Sequence, residues 1–329
     1  MIRTIQFGIG AMGGRMAQLM LKKKDIQLVG AVSRSHAGKD LGEVIGKRKT
    51  GVRVYHPEQI CKKVKADVMV HAAVSYLEPA WQHIKQAIEA GMNVVSISEE
   101  LGYPYKKYPK LSKDIDRLAK KQGVTVLGTG INPGFMMDLL PITLSGICQE
   151  IDSIKISRML NFSVLGPKAQ KHKCLGCTLN KFASMVKKGE LPLHVGLPES
   201  AYMIADTLGW KIKGKEVRKP VKAGRNIKVE RFGTVKKGET AGYDDLFYGY
   251  VGQKKKLILE EKGRVDSKID YTLDIEIKGT PNIKLSMNVP STEYTTPAHA
   301  VNLVPIVMNA EPGLKTMKDL IPAYALRNK

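Results

Sequence analysis

Gly8-Ile9-Gly10-Ala11-Met12-Gly13 closes a strand-like run that begins at Thr4 and leads into Met16, Leu19 and Met20 at helical spacing. The three glycines have separate physical roles. The first permits a tight turn, the second lets backbone approach a pyrophosphate, and the third lets the helix lie close to the strand. The N-terminus of that helix then faces negative charge. A glycine triplet of this spacing is common by chance, but its place at the first strand of a βαβ unit makes it a dinucleotide-binding fingerprint. Gly8, Gly10, Ala11, Met12 and Gly13 are therefore candidate cofactor contacts.

Outward from this turn, strand-like runs recur at residues 5–8, 26–32, 52–55, 67–73, 93–97 and 124–128, rich in Val and Ile. Several do not alternate, as expected of strands buried on both faces. Helical patterns separate them, one carrying Trp81, Ile84, Ala87 and Ile88 before a stop at Gly91. The methionines and Trp81 read as core. Alternating β and α elements imply a Rossmann-type, doubly wound parallel sheet. Near residue 150 the pattern changes. A long strand at 151–164 and a helix at 179–188 are followed by strands from 228 to 290, with turns at 236–238, 261–263 and 279–281. This predicts an α+β domain with a mainly antiparallel sheet. Helical spacing returns at Val301, Val304, Ile306 and Val307. The expected division is a dinucleotide-binding domain at 1–140 and 299–329, with a substrate-binding and oligomerisation domain, 141–298, inserted in it.

The candidate chemistry lies at the strand ends of the first domain and at two residues of the second. The end of the second strand normally reads the cofactor's 2′ position, where a carboxylate selects NAD. Here Val32 runs into Ser33-Arg34-Ser35. Hydroxyls and a guanidinium suit a 2′-phosphate, so NADP is the expected cofactor, with NAD possible. Ala73, at the end of the fourth strand, is a further cofactor candidate. The fifth strand ends in Ser98-Glu99-Glu100. Two adjacent carboxylates cannot point the same way, so one is expected in the cleft as a general base and the other solvated or paired. Gly128-Thr129-Gly130-Ile131-Asn132-Pro133-Gly134 follows the sixth strand and is read as opening a helix. Asn132 can offer a donor and an acceptor to the nicotinamide carboxamide or to substrate. In the second domain Arg158 is a candidate carboxylate clamp, and His194 a polar group at the mouth.

Composition bounds the alternatives. The 329 residues are 43% hydrophobic and 26% charged, which excludes disorder and favours two domains. No apolar run approaches the roughly 20 residues of a membrane span, and no secretory leader is visible, so the chain reads as cytoplasmic. The formal charge of +22 comes from 53 Lys and Arg against 31 Asp and Glu. The lysines are scattered and not interleaved with aromatics, so a solvated surface is expected and nucleic acid is not. Cys174 and Cys177, with His172 just before them, lack a second pair, so neither a metal site nor a disulfide framework is expected.

At these segments the chain resembles the 2,4-diaminopentanoate dehydrogenase family, related to native amine dehydrogenases and more distantly to dihydrodipicolinate reductases. The resemblance rests on GIGAMG (8–13), SEELGYP (98–104), GTGINPGFMMDLLP (128–141), HVGLPES with IADTLGW (194–210) and AEPGLKTMKDL (310–320). It implies NAD(P)-dependent oxidative deamination of the C4 amine of 2,4-diaminopentanoate, and reductive amination of 2-amino-4-oxopentanoate with ammonia in reverse. In that scheme Glu99, or failing it Glu100, handles the proton on nitrogen. Two departures from that family stand out. The family's acidic residue after the second strand is replaced by Ser33-Arg34. Residues 243–250 and 291–299 differ from the usual pattern. The His-His pair, Lys and Ser-Gly-Thr turn of the reductases are absent. A broader amine or amino-acid dehydrogenase is the alternative within enzymes, and an NADP-binding redox sensor the alternative outside them. A base at Glu99 favours an enzyme, since a sensor has no need of one. A homodimer or dimer of dimers is expected, with the open face of the second domain's sheet covered by another copy.

Overall fold

The computed structural model describes residues 1–164, 170, 173–191, 194–230, 232–265, 271–289, 291–323 and 326–328. The chain divides into two compact units, Met1–Leu139 with Ser291–Lys329, and Leu140–Pro290.

In unit 1, seven strands form one sheet: β1 (Ile2–Phe7), β2 (Ile26–Val32), β3 (Val54–Tyr55), β4 (Val68–His71), β5 (Asn93–Ser96), β6 (Thr125–Gly128) and β15 (Gly313–Lys315). All pairings are parallel, in the order β15-β6-β5-β4-β1-β2-β3. The helices of this unit are α1 (Ala11–Lys22), α2 (Leu41–Val44), α3 (Ile60–Lys63), α4 (Leu77–Glu89), α5 (Pro109–Gln122), α9 (Thr292–Asn302) and α10 (Val304–Met308). Strand order reverses between β1 and β4, and the crevice at their carboxyl ends is where such sheets bind ligands.

The reasons are local. β4 is buried along its whole length and β1 from Thr4 onward, as parallel strands covered on both faces must be. α4 presents Leu77, Ala80, Ile84, Ala87 and Ile88 at the 3.6-residue period, and they share a core with Ile5, Phe7, Met69 and Val94. Burying large apolar side chains of this kind is worth roughly 1.5–3 kcal/mol each. Gly91, at φ 74°, turns the chain after α4. Met16 and Met20 are fully buried and Trp81 packs against the core, as expected from their spacing. The second segment of unit 1 starts at Ser291, ahead of the expected residue 299. Ser291 Oγ accepts the Glu293 N–H at 3.3 Å and starts α9 there. Arg15 of α1 pairs with Glu293 of α9 at 2.7 Å.

Unit 2 contains β7 (Glu150–Asn161), β8 (Lys213–Lys222), β11 (Thr240–Val251), β12 (Lys254–Arg264), β13 (Thr272–Thr280) and β14 (Ile283–Asn288). They form a six-stranded sheet in the order β14-β13-β7-β12-β11-β8. β7 and β12 run parallel and the other neighbours antiparallel. A separate ribbon joins β9 (Ile227–Val229) to β10 (Gly233–Val235). The helices are α6 (Leu139–Ser145), which starts at the boundary, α7 (Leu179–Lys187) and α8 (Leu197–Thr207). The expected turn at 261–263 is instead inside β12, and the chain turns at Gly252, φ 60°. Leu257, Leu259, Glu261 and Gly263 alternate on the buried side of β12. A charged residue and a glycine in that series imitate a turn in the sequence. Gly263 is required there, since a Cβ would stand 1.8 Å from the Phe162 ring.

Candidate active site

The glycine turn between β1 and α1 divides its labour. A Cβ at Gly8 would meet the Ala72 carbonyl oxygen at 2.7 Å and the Ala73 Cα at 3.0 Å, and one at Gly13 would meet the Gly8 oxygen at 1.9 Å. Those two glycines let strand, helix and the end of β4 close together. Gly10 is different: nothing stands within 4 Å of where its Cβ would point. It is the N-cap of α1 and gives no side-chain hydrogen bond to the first-turn N–H groups behind Ala11 and Met12. A space that a side chain would fill, backed by uncapped N–H donors, fits the pyrophosphate of a dinucleotide.

After β2, Ser33 Oγ and Ser35 Oγ lie 3.1 and 2.9 Å from His36 Nδ1 and 3.3 Å from each other. Arg34 between them is exposed. Burial and then the Arg34 charge hold His83, on α4, below the usual imidazole value. The next carboxylate along the chain, Asp40, is occupied by the N–H groups of Gly42, Thr50 and Gly51 at 2.7, 2.9 and 2.8 Å. The donor set of this turn fits a phosphate monoester.

Phe7, His71 and Ser96 end β1, β4 and β5 side by side in register. His71 is wholly buried, its Nδ1 3.0 Å from Ser96 Oγ and its Nε2 3.2 Å from His83 Nδ1. Burial, then His83, pushes His71 down to about 3, so it stays neutral. Ser96 Oγ accepts the Ser98 N–H at 3.1 Å, and Ser98 Oγ donates to the Val74 carbonyl at 2.7 Å. These bonds fix the entry to the short 3-10 helix Glu99–Gly102.

That helix separates the acidic pair. Glu100 is 1% exposed and accepts the Leu77 N–H at 2.7 Å, the Tyr108 hydroxyl at 2.9 Å and the Lys107 ammonium. It caps α4 and pins the chain ahead of α5. Its hydrogen bond to Lys107 raises that ammonium above its ordinary value, and burial followed by Glu100 raises Tyr108. Glu99, one residue earlier, is half-buried.

Asn132 is 6% exposed in the segment after β6. No helix opens there, contrary to expectation. A run of turns occupies residues 132–138, and α6 begins only at Leu139. Asp138 takes the place of a first helical turn, accepting the N–H groups of Gly134 at 2.7 Å and Leu139 at 2.6 Å. His299 of α9 packs against this segment, its ring 5.2 Å from Phe135 and bonded to the Gly134 backbone. Burial pushes His299 down to about 4.

In unit 2 the two candidates meet through a third residue. Arg158 Nη1 lies 3.2 Å from Glu261 Oε2, and His194 Nε2 lies 3.6 Å from Glu261 Oε1. Arg158, Glu261, Asp245 and Arg218 are register partners across β7, β12, β11 and β8. They form one buried row of charges. Arg218 clamps Asp245 with two nitrogens and stacks 4.2 Å over the Tyr243 ring, and Asp245 accepts the His194 N–H at 2.9 Å. Arg158 Nε and His194 Nδ1 are buried with no partner among the described residues. Cys174 is buried, and burial with the Cys177 thiol pushes it up to about 12. Among the described residues no three His, Cys, Asp or Glu side chains gather as metal ligands. His172 lies outside the described residues.

The chain is 38% identical to the 2,4-diaminopentanoate dehydrogenase of Acetoanaerobium sticklandii over 97% of its own length and 93% of that protein's. Residues 135–329 match the 2,4-diaminopentanoate dehydrogenase C-terminal domain, and residues 2–98 match the dihydrodipicolinate reductase N-terminus. The chain belongs to the 2,4-diaminopentanoate dehydrogenase family. That makes it an NAD(P)-dependent oxidoreductase of the amine dehydrogenase type. The structure of an amine dehydrogenase from Mycobacterium smegmatis superposes with TM-score 0.84 at 28% identity, over 98% of this chain and 97% of that one. A DAP dehydrogenase from C. glutamicum shares the fold, with TM-score 0.52 at 14% identity over 97% and 94%.

For this 2,4-diaminopentanoate dehydrogenase family member, sequence reading missed His36, His71, His83, Glu261 and His299. His71 carried a signal, as a polar residue ending an otherwise apolar strand. Glu261 carried a misleading one, because its partners come from other strands and a loop. No helix among the described residues is long and apolar enough to cross a membrane.

Proposed function

We propose that the chain oxidatively deaminates the C4 amine of 2,4-diaminopentanoate to 2-amino-4-oxopentanoate and ammonia, and runs the reverse reductive amination, with NADP preferred over NAD. The observation that carries this reading is the separation of Glu99 from Glu100. Glu100 is committed to three structural donors, so Glu99 is the carboxylate of the pair assigned to chemistry. The bound cofactor supplies the hydride acceptor. Glu99 takes the proton that the substrate ammonium must lose before hydride can leave carbon, and returns it to nitrogen in the reverse direction. Gly10 and the first-turn N–H groups of α1 hold the pyrophosphate, with the end of β4 at Ala73 beside them, and Ser33, Arg34 and Ser35 hold the 2′-phosphate. Asn132 orients the carboxamide or the substrate through its paired donor and acceptor. Arg158 Nε and His194 Nδ1 receive the amino-acid end of the substrate.

The name and 38% identity of the A. sticklandii relative support this substrate. A broader amine specificity is favoured by one observation, the 0.84 TM-score to an amine dehydrogenase. A nicotinamide fluorescence screen separates the two. 2,4-Diaminopentanoate is expected to outrun simple amines with NADP, and equal rates with amines lacking a carboxylate would overturn the narrower assignment. The protein is further assigned to the cytoplasm and to a homodimer or dimer of dimers. Light scattering that gives a monomer mass at micromolar concentration would remove the assembly.

A further inference from the structure

The turn after β2 and the helix facing it carry two imidazoles that the assignments above leave unused. His36 Nδ1 is bracketed by the Ser33 and Ser35 hydroxyls at 3.1 and 2.9 Å. His83 is half-buried, its ring centroid 4.4 Å from that of Phe7 and its Nδ1 3.2 Å from His71 Nε2. That bond uses one nitrogen of His83 and leaves Nε2 on the other side of the ring. The groups facing His83 are Arg34 from the turn after β2, His71 from β4 and the apolar Phe7 from β1. His71, held down to about 3, does not titrate near neutrality. The groups facing His36 are Ser33 and Ser35. Arg53 and Lys63 line an adjoining cavity of about 380 Å³ with Gly38 and Tyr55. Among the described residues the histidines that pair with carboxylates are His56 and His194, neither of them in this cluster.

Phe7, against which His83 packs, pairs in register with Val32, the residue before Ser33, so two hydroxyls, a guanidinium and two imidazoles gather at the turn after β2, and among the described residues none of them pairs with an acid. We propose that His36 and His83 complete the 2′-phosphate site, His36 as a direct ligand beside Ser33 and Ser35, and His83 as a second cation behind Arg34 that takes up a proton when the phosphate arrives. The inference rests on the NADP assignment made above and deepens it.

The physical ground is linkage. Without a ligand, burial and Arg34 both oppose a charge on His83. A phosphate dianion reverses the local field, so the protonated imidazole is favoured in the complex. Proton and cofactor then bind together, and NADP affinity rises as pH falls. NAD lacks the phosphate and gains nothing. One coupled proton sets a ceiling of about tenfold in affinity per pH unit. The phosphate monoester's own second ionisation, near about pH 6, runs the other way and is the same in every variant. The measurement accordingly belongs above about pH 6.5.

Equilibrium titrations of NADP and NAD, read by nicotinamide and protein fluorescence, test this without turnover. The ratio of NADP to NAD affinity should rise several-fold per pH unit as pH is lowered towards 6.5. His83→Gln should abolish the slope, whereas His36→Gln should lower NADP affinity at every pH and leave the slope standing, with NAD affinity constant in both as the check on folding. In the unmutated protein, calorimetry in two buffers of different ionisation enthalpy should show proton uptake with NADP and none with NAD. NADP preference with a flat ratio and no proton uptake would overturn the inference and leave the NADP assignment standing. A slope that survives His83→Gln, or an NADP affinity that His36→Gln leaves unchanged, overturns it as well. Equal affinity for both cofactors at every pH overturns the NADP assignment itself, and this inference with it.

Discussion

Two pairs of carboxylates, one in each unit, handle negative charge in opposite ways. Glu99 and Glu100 are neighbours along the chain, and the 3-10 turn sends one into structure while the other stays half-buried. Asp245 and Glu261 are neighbours across strands, and the register of β11 and β12 puts them directly opposite on one buried face. Like charges in that position repel, so each is flanked by an arginine and both are touched by the same residue, His194. Adjacency in sequence lets two acids acquire separate duties. Adjacency in register binds their duties together.

Substitutions at these pairs should break or sharpen the contrast. The largest effect is expected at Glu99. Glu99→Gln keeps shape but removes basicity, so turnover should fall by about 10²–10⁴ with NADP affinity retained. Glu100→Gln should do the reverse: a loss of about 1–3 kcal/mol in a denaturant titration, because a buried acceptor of three donors is weakened, with turnover of the folded enzyme nearly kept. If both variants kept normal turnover, the base would not belong to this pair. Next comes the row in unit 2. Arg218→Met leaves Asp245 buried without its clamp and should cost about 3–5 kcal/mol, whereas Arg218→Met with Asp245→Leu should recover much of that. A double variant no better than the single would mean that the row is not an electrostatic unit. Last comes the exposed Arg34. Arg34→Ala should weaken NADP by about 1.5–3 kcal/mol and leave NAD unchanged; equal losses for both cofactors would remove the 2′-phosphate assignment.

How far the sequence could be read follows the same contrast. The glycine turn, the six strands of the first half and the helix bearing Trp81 are set by short-range periodicity, and each stands within a few residues of expectation. The Ser33–Arg34 turn and the acidic pair draw attention in the sequence for a general reason: the end of a strand in a doubly wound sheet is a known place for ligand chemistry. Unit 2 was harder. Its acids and arginines become intelligible only when four strands are laid side by side, and no local window contains that information. Glu261 therefore looked like part of a turn. Arg158 and His194 were picked out singly, with no hint that one carboxylate joins them. The segment after β6 misled for another reason: its glycines and Asn132 suit a helix start, but Asp138 takes over the N–H groups and holds a run of turns open.

The outermost strand of unit 2 has a consequence for behaviour in a crowded solution. β8 closes the sheet at one edge, and Lys213, Lys215, Lys219 and Lys222 stand exposed along it with Pro220 among them. An open strand edge is a template on which a second sheet can grow into a ribbon. Here any second copy offering the same edge meets a fence of ammonium groups, and Pro220 has no N–H to donate. Part of the +22 charge of the chain thus acts as a solubility device. It discourages edge-to-edge growth of the sheet in its hydrogen-bonding direction.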